Sequence, residues 1–142
     1  MANLSEYEQV LKNQIASSVF AIVLISILAI TFFLLHKKGF FNDLGKIGKT
    51  VVSVFVTAVI LSGTVHFSLA IYRSYIDLDG QAYITYAGTF EVSSFKEGYI
   101  TIKNGGSSLT LSGKADLPGG EYSGIVVYAQ NSKRLLEWFI TS

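Results

Sequence analysis

The chain has 142 residues, half of them hydrophobic, and a formal net charge of +1. Near-neutral charge provides no global field to attract nucleic acid or an acidic partner, and the absence of Cys excludes a disulfide framework, thiolate chemistry and Cys-ligated metal. Two His residues are too few for a His-rich metal site, and a positive mean hydropathy is unusual for a water-soluble domain of this length.

The first 15 residues read as an amphipathic lead-in helix. Ser5 and Glu8 fit a capping box, in which hydroxyl and carboxylate each satisfy a free backbone N–H. Tyr7, Val10, Leu11 and Ile15 follow at helical spacing on one face. This helix is expected to lie at a membrane surface or to run straight into the next segment. Glu6 and Glu8 make the start acidic, unlike a secretory signal, so it is expected to be retained as an anchor.

An apolar run over 16–35 and a second over 51–72 contain no Lys, Arg, Asp or Glu. Each has the roughly 20 residues that a helix needs to cross a bilayer core of about 30 Å. Transmembrane helices are predicted over 16–35 and 51–74. Ser26 and Thr31 in the first are expected to bond back to carbonyls one turn earlier. Between the helices, residues 36–50 form a basic loop with Lys37, Lys38, Lys46 and Lys49 against Asp43 alone. Lys retention on the cytoplasmic side places this loop inside and both termini outside, and the same lysines can meet anionic lipid head groups. Gly39, Gly45 and Gly48 make the loop a tight turn. Phe40 and Phe41 would sit at the inner interface, with Tyr72 and Tyr75 in an outer aromatic belt.

In the second helix Ser53, Thr57, Thr64 and Ser68 recur at spacings of four and seven and so share a face. Ser62, Gly63, His66 and Ala70 lie roughly opposite. Small and hydroxylated faces suit close helix packing in lipid, either within the hairpin or between copies in a homo-oligomer. His66 is the ionisable side chain inside a span, hence a candidate for a pH- or ion-linked role. A neutral ring bonded to Ser26 or Ser62 accounts for it adequately.

Residues 73–81 read as a short linker with a turn at Asp79–Gly80, which would hold the next domain at the membrane surface. From Ala82 the period changes to two. Strands are predicted over 82–92, 99–103, 108–112, 122–129 and 133–140, the last with a short helix as the alternative. Turns fall at Lys96–Gly98, Asn104–Ser107 and Gln130–Ser132. Ile84, Phe90, Val92, Ile100, Ile102, Leu109 and Leu111 are expected to point inward. The β-rich domain, 82–142, balances Lys96, Lys103, Lys114, Lys133 and Arg134 against Glu91, Glu97, Asp116, Glu121 and Glu137. The fold class is an α+β membrane protein: a two-helix transmembrane hairpin followed by a small antiparallel β-barrel or bent five-stranded sheet, SH3- or OB-like in size.

No Ser/His/Asp arrangement can form, because both His residues precede the β-domain. No phosphate loop, metal cluster or cofactor motif is present, so neither catalytic residues nor a cofactor are expected, and no nucleic-acid partner. Tyr83, Tyr99, Lys133, Arg134 and Trp138 are the candidate partner surface, since Tyr, Trp and Arg dominate protein contacts. The expected role is non-enzymatic. A plasma-membrane hairpin would anchor an extracytoplasmic β-domain that binds another protein, as an immunity protein or cell-envelope subunit does. The rival reading is an oligomeric, channel-like effector whose β-domain senses a ligand. The layout is similar to that of several unrelated membrane-tethered modules, and no motif here selects one of them.

Overall fold

The computed structural model describes residues 3–94 and 98–141. Two long helices, α1 (Leu4–Lys37) and α2 (Gly45–Gly80), are joined by a short 3-10 turn at Asn42–Leu44. The lead-in segment and the first apolar run are one continuous helix. Its N-terminus departs from the predicted capping box. Asn3 is the cap, its Oδ1 accepting the Glu6 N–H at 3.1 Å, while Ser5 donates to the same oxygen. Glu8 is left to pair with Lys12 at 3.6 Å. At the other end Gly39 N–H donates to the His36 carbonyl and Phe40 N–H to the Leu35 carbonyl, both at 3.1 Å, a Schellman termination.

The predicted linker is the last two turns of α2. Nothing in Arg73–Leu78 breaks a helix, and Ser74 and Asp77 are fully buried, so packing carries the helix through the Asp79–Gly80 turn signal. The chain reverses at Gln81 instead, with φ of 47°.

Residues Gln14–Tyr72 form one compact unit, and Met1–Asn13 with Arg73–Ser142 form a second. Both helices are long and apolar enough to cross a membrane. In the hairpin unit the less exposed residues on α1 include Ile15, Ser18, Ile22, Ile25, Ala29 and Phe32, and on α2 Ser53, Val56, Ile60, Gly63, Phe67 and Ala70. Both sets advance by alternating steps of three and four, the spacing of a left-handed antiparallel seam. At Gly63 an added Cβ would lie 2.8 Å from Ile25 Cδ1, so the small residue lets the helices approach closely there. Large apolar side chains cover the other faces: Phe20, Leu28 and Phe55 are all more than three-fifths exposed.

The second unit contains the strands β1 (Tyr83–Val92), β2 (Tyr99–Asn104), β3 (Ser107–Lys114), β4 (Gly120–Ala129) and β5 (Leu135–Ile140). They form one antiparallel sheet of order β3-β2-β1-β4-β5. The final stretch is a strand, and a register shift between Val127 and Tyr128 bends the sheet there. Gly105 and Gly106 make the two-residue turn that pairs Asn104 with Ser107. The predicted turn residues Lys96 and Glu97 lie outside the described residues. The sheet curls into a half-barrel: a bridge between Ser112 and Arg134, with Ser112 N–H donating to the Lys133 carbonyl at 2.9 Å, draws β3 toward β5.

The concave face holds the core of Phe90, Val92, Ile100, Ile102, Leu111, Val126, Tyr128 and Leu135. This is the inward set that period-two alternation predicts, completed by β4 and β5. Phe90 and Tyr122 stack at 6.1 Å across the β1–β4 pair.

Candidate functional site

Among the described residues, the β4–β5 turn carries the most constrained polar arrangement. Ser74 and Asp77 continue the three-and-four spacing of α2, and both are fully buried. The Asp77 carboxylate meets three donors from the turn. Oδ1 accepts the Asn131 N–H and side-chain amide, each at 2.8 Å, and Oδ2 accepts the Ser132 N–H at 2.6 Å. A buried carboxylate is tolerable only when paired in this way, and each such bond contributes about 1.5–3 kcal/mol. Two backbone bonds extend the clamp: Ala82 N–H to the Asp77 carbonyl at 3.1 Å and Gln130 N–H to the Ala82 carbonyl at 2.8 Å. The Ser74, Ser132 and Tyr83 hydroxyls are buried with no hydrogen-bond partner.

The convex face of the same hairpin meets the start of α1. Tyr7 donates its hydroxyl to Glu137 Oε2 on β5 and packs edge-on against Tyr83 at 5.4 Å. Leu11, one turn on, is fully buried. Burial and the Glu137 carboxylate push the Tyr7 hydroxyl up to about 12 from an ordinary 10. Tyr83 is also raised, by burial first and then by the charges of Glu8 and Asp77. Glu137 from β5 and Asn131 and Ser132 from the turn thus tie one hairpin to both helices.

The five residues of the predicted partner surface are divided between faces. Trp138 pairs with Val126 and packs against the concave core. Tyr83 and Tyr99 alternate onto the convex side of their strands, Tyr83 beneath Tyr7. Lys133 and Arg134 do come together at the turn. Lys133, at φ of 55°, holds its Nζ over the Tyr128 ring at 5.9 Å. The Arg134 guanidinium lies over Gly113, its Nε buried and without a hydrogen-bond partner. Elsewhere the loop between β3 and β4 borders an open cavity of about 550 Å³. Leu117 and Pro118 supply its apolar lining, and Lys114 and Asp116 its charges. On the convex sheet Lys103 pairs with Glu91 at 2.5 Å, which raises the lysine's pKa. Both groups are largely exposed, so the pair adds little stability.

In the hairpin unit, Ser53 and Thr64 border the seam, whereas Thr57 and Ser68 are exposed. Gly63 and Ala70 of the opposite face lie in the seam, so the seam draws on both faces that the sequence distinguishes. The Thr64 hydroxyl bonds back to the Ile60 carbonyl at 2.8 Å, and Ser26 to Ile22 at 2.9 Å. The expected bond from His66 to Ser26 or Ser62 is not formed. Helical periodicity turns His66 off the seam and leaves it exposed, and the Ser26 hydroxyl is already committed. Lys37 closes the last turn of α1, and Lys38 and Lys46 are exposed. Lys49 donates to Asn42 Oδ1.

Asp77 is the residue that sequence reading missed. Its position in Arg73–Gln81 reads as a solvated linker charge. The step pattern 53, 56, 60, 63, 67, 70, 74, 77 runs unbroken through the supposed linker, but burial in the folded chain draws it and residue type does not. Among the described residues no group of three or more His, Cys, Asp or Glu could hold a metal ion. No protein-family model, curated protein or solved structure matches the chain.

Proposed function

We propose that this protein is a non-enzymatic membrane protein whose hairpin anchors an extracytoplasmic β-unit that binds another protein, in the manner of an immunity or envelope-complex subunit. The observation that carries this reading is the partition of apolar surface. Of the exposed large hydrophobic residues among the described residues, Ile140 alone belongs to a strand; the rest lie on the helices and the loop between them. Large exposed apolar patches mark membrane or partner contacts, and helices apolar on every side suit lipid. The β-unit has a largely polar exterior, and its cavity beside Leu117 and Pro118 offers a mixed surface for a protein loop.

A second reading, an oligomeric channel-like effector, draws on Thr57 and Ser68. They present hydroxyls away from the hairpin seam and are free to pack against another copy.

One experiment separates the readings. Single Cys residues are introduced at Asn104 and at Asp43 in the otherwise Cys-free chain, and intact cells are treated with a membrane-impermeant maleimide. Labelling at 104 and not at 43, with a detergent-solubilised mass of a monomer or dimer, is the expected result. Labelling at 43 alone puts the β-unit in the cytoplasm and overturns the proposal. A larger ring that depolarises cells supports the effector.

A further inference from the structure

We infer that the hairpin holds one anionic phospholipid, with an acyl chain between α1 and α2 and the phosphate at the lysines of the connecting loop. A groove of about 340 Å³ opens between the helices, lined by Phe32 and Leu35 of α1 and by Phe55, Val56 and Val59 of α2, with Thr31 its one hydroxyl-bearing residue. Its volume falls within the range of about 300–1,000 Å³ typical of small-molecule sites. Its place follows from the seam. Phe32 lies one heptad beyond Ile25, and Val56 one heptad before Gly63. With Leu28 and Ile60 also in its lining, the groove starts three residues, about 5 Å, loopward of the Ile25–Gly63 contact, at 1.5 Å per residue.

Charge complementarity selects the occupant. The groove lies in the loop-proximal halves of the two helices, and the loop carries Lys37, Lys38, Lys46 and Lys49 against a single acid, Asp43. Lys37 and Lys38 follow Leu35 within three residues, and Lys49 precedes Phe55 by six and Val56 by seven, so the cations lie within about two helical turns of an apolar slot. Lys46 lies in the first turn of α2, which has no acidic residue. A cation there opposes the helix dipole, and an anionic head group offsets that cost. Apolar slot and nearby cations together match an anionic phospholipid better than a zwitterionic one or a bare phosphate ion. The inference rests on the hairpin lying in a bilayer and is independent of what the β-unit binds.

The test is native mass spectrometry of the full chain released from mild detergent, titrated separately with phosphatidylglycerol and phosphatidylcholine. Recovery of the chain in carbonate-washed membranes is the control for anchoring. One phosphatidylglycerol per chain is expected, held at least about tenfold more tightly than phosphatidylcholine, a difference of about 1.4 kcal/mol. Val59→Trp fills the groove and should lower retention by a similar factor. Val65→Trp, at a position equally exposed but outside the groove, should not. Replacing the four loop lysines with Gln should abolish the preference, and this variant decides the matter if Val59→Trp fails to fold. Equal retention of both lipids, unchanged retention in Val59→Trp, or a dimer that carries no lipid would overturn the inference.

Discussion

Asp77 and Tyr7 show how single side chains hold the β4–β5 hairpin to the two helices. Asp77→Ala leaves the Asn131 and Ser132 N–H groups and the Asn131 amide without their acceptor at a part-buried site. The expected loss is about 3 kcal/mol, read as a lowered thermal midpoint of the β-unit by near-UV circular dichroism. Asp77→Asn, which keeps one acceptor, should lose less. Tyr7 provides a pH test. Its folded pKa of about 12 lies above the ordinary 10, so the folded chain keeps a proton that the unfolded chain releases. Its contribution is complete below pH about 10 and fades as pH rises toward about 12. Comparing wild type with Tyr7→Phe across pH 9 to 12 isolates it from other alkaline titrations. The stability gap should narrow over that window, and a constant gap would refute the assignment.

At the level of elements, two glycines do opposite jobs. Gly124 faces Gly88 on β1 and Ile140 on β5, and an added Cβ would sit 1.9 Å from the Phe139 carbonyl oxygen. Backbone cannot yield by that much without breaking the ladder. Gly124→Ala should therefore detach β5 at a cost on the order of 3 kcal/mol or more, seen as loss of amide protection in β5. At Gly63 the obstructing atom is the end of the Ile25 side chain, which can rotate away, so a small residue other than Gly is tolerable there. The strand predicted over 122–129 contains Gly124. The approach of β5 that makes it obligatory depends on curvature, which periodicity does not encode.

For the whole molecule, the compact unit that contains the sheet also contains Met1–Asn13 and Arg73–Ser142, so the chain enters and leaves it by helices. Leu11, Ser74 and Asp77 are fully buried, and all three lie outside residues 82–142. An excised 82–142 fragment would expose the apolar surface beneath Leu11 and lose the acceptor of the β4–β5 turn. A sheet this small has little stability to spare. The fragment should thus lack the near-UV signal and amide protection of the full chain in detergent. Native-like protection in the fragment would show that the helical ends are dispensable.

Composition and spacing alone determined the two apolar helices, the basic loop, the five strands and the inward set on β1 to β3. Each rests on local information: hydropathy over about 20 residues or alternation along a strand. Which face of each helix meets the other was not legible, because residues apolar on every side carry no amphipathic contrast, and contact at Ile25 and Gly63 decides it. Asn3 displaced Ser5 as the cap because both residue types can cap and the start of the helix chooses between them. Only tertiary structure could extend α2 through 73–80, gather Asp77, Asn131 and Ser132, and divide Tyr83 from Trp138. Those outcomes depend on contacts more than fifty residues apart, and a buried carboxylate and a solvated one look the same until the donors that surround it are in place.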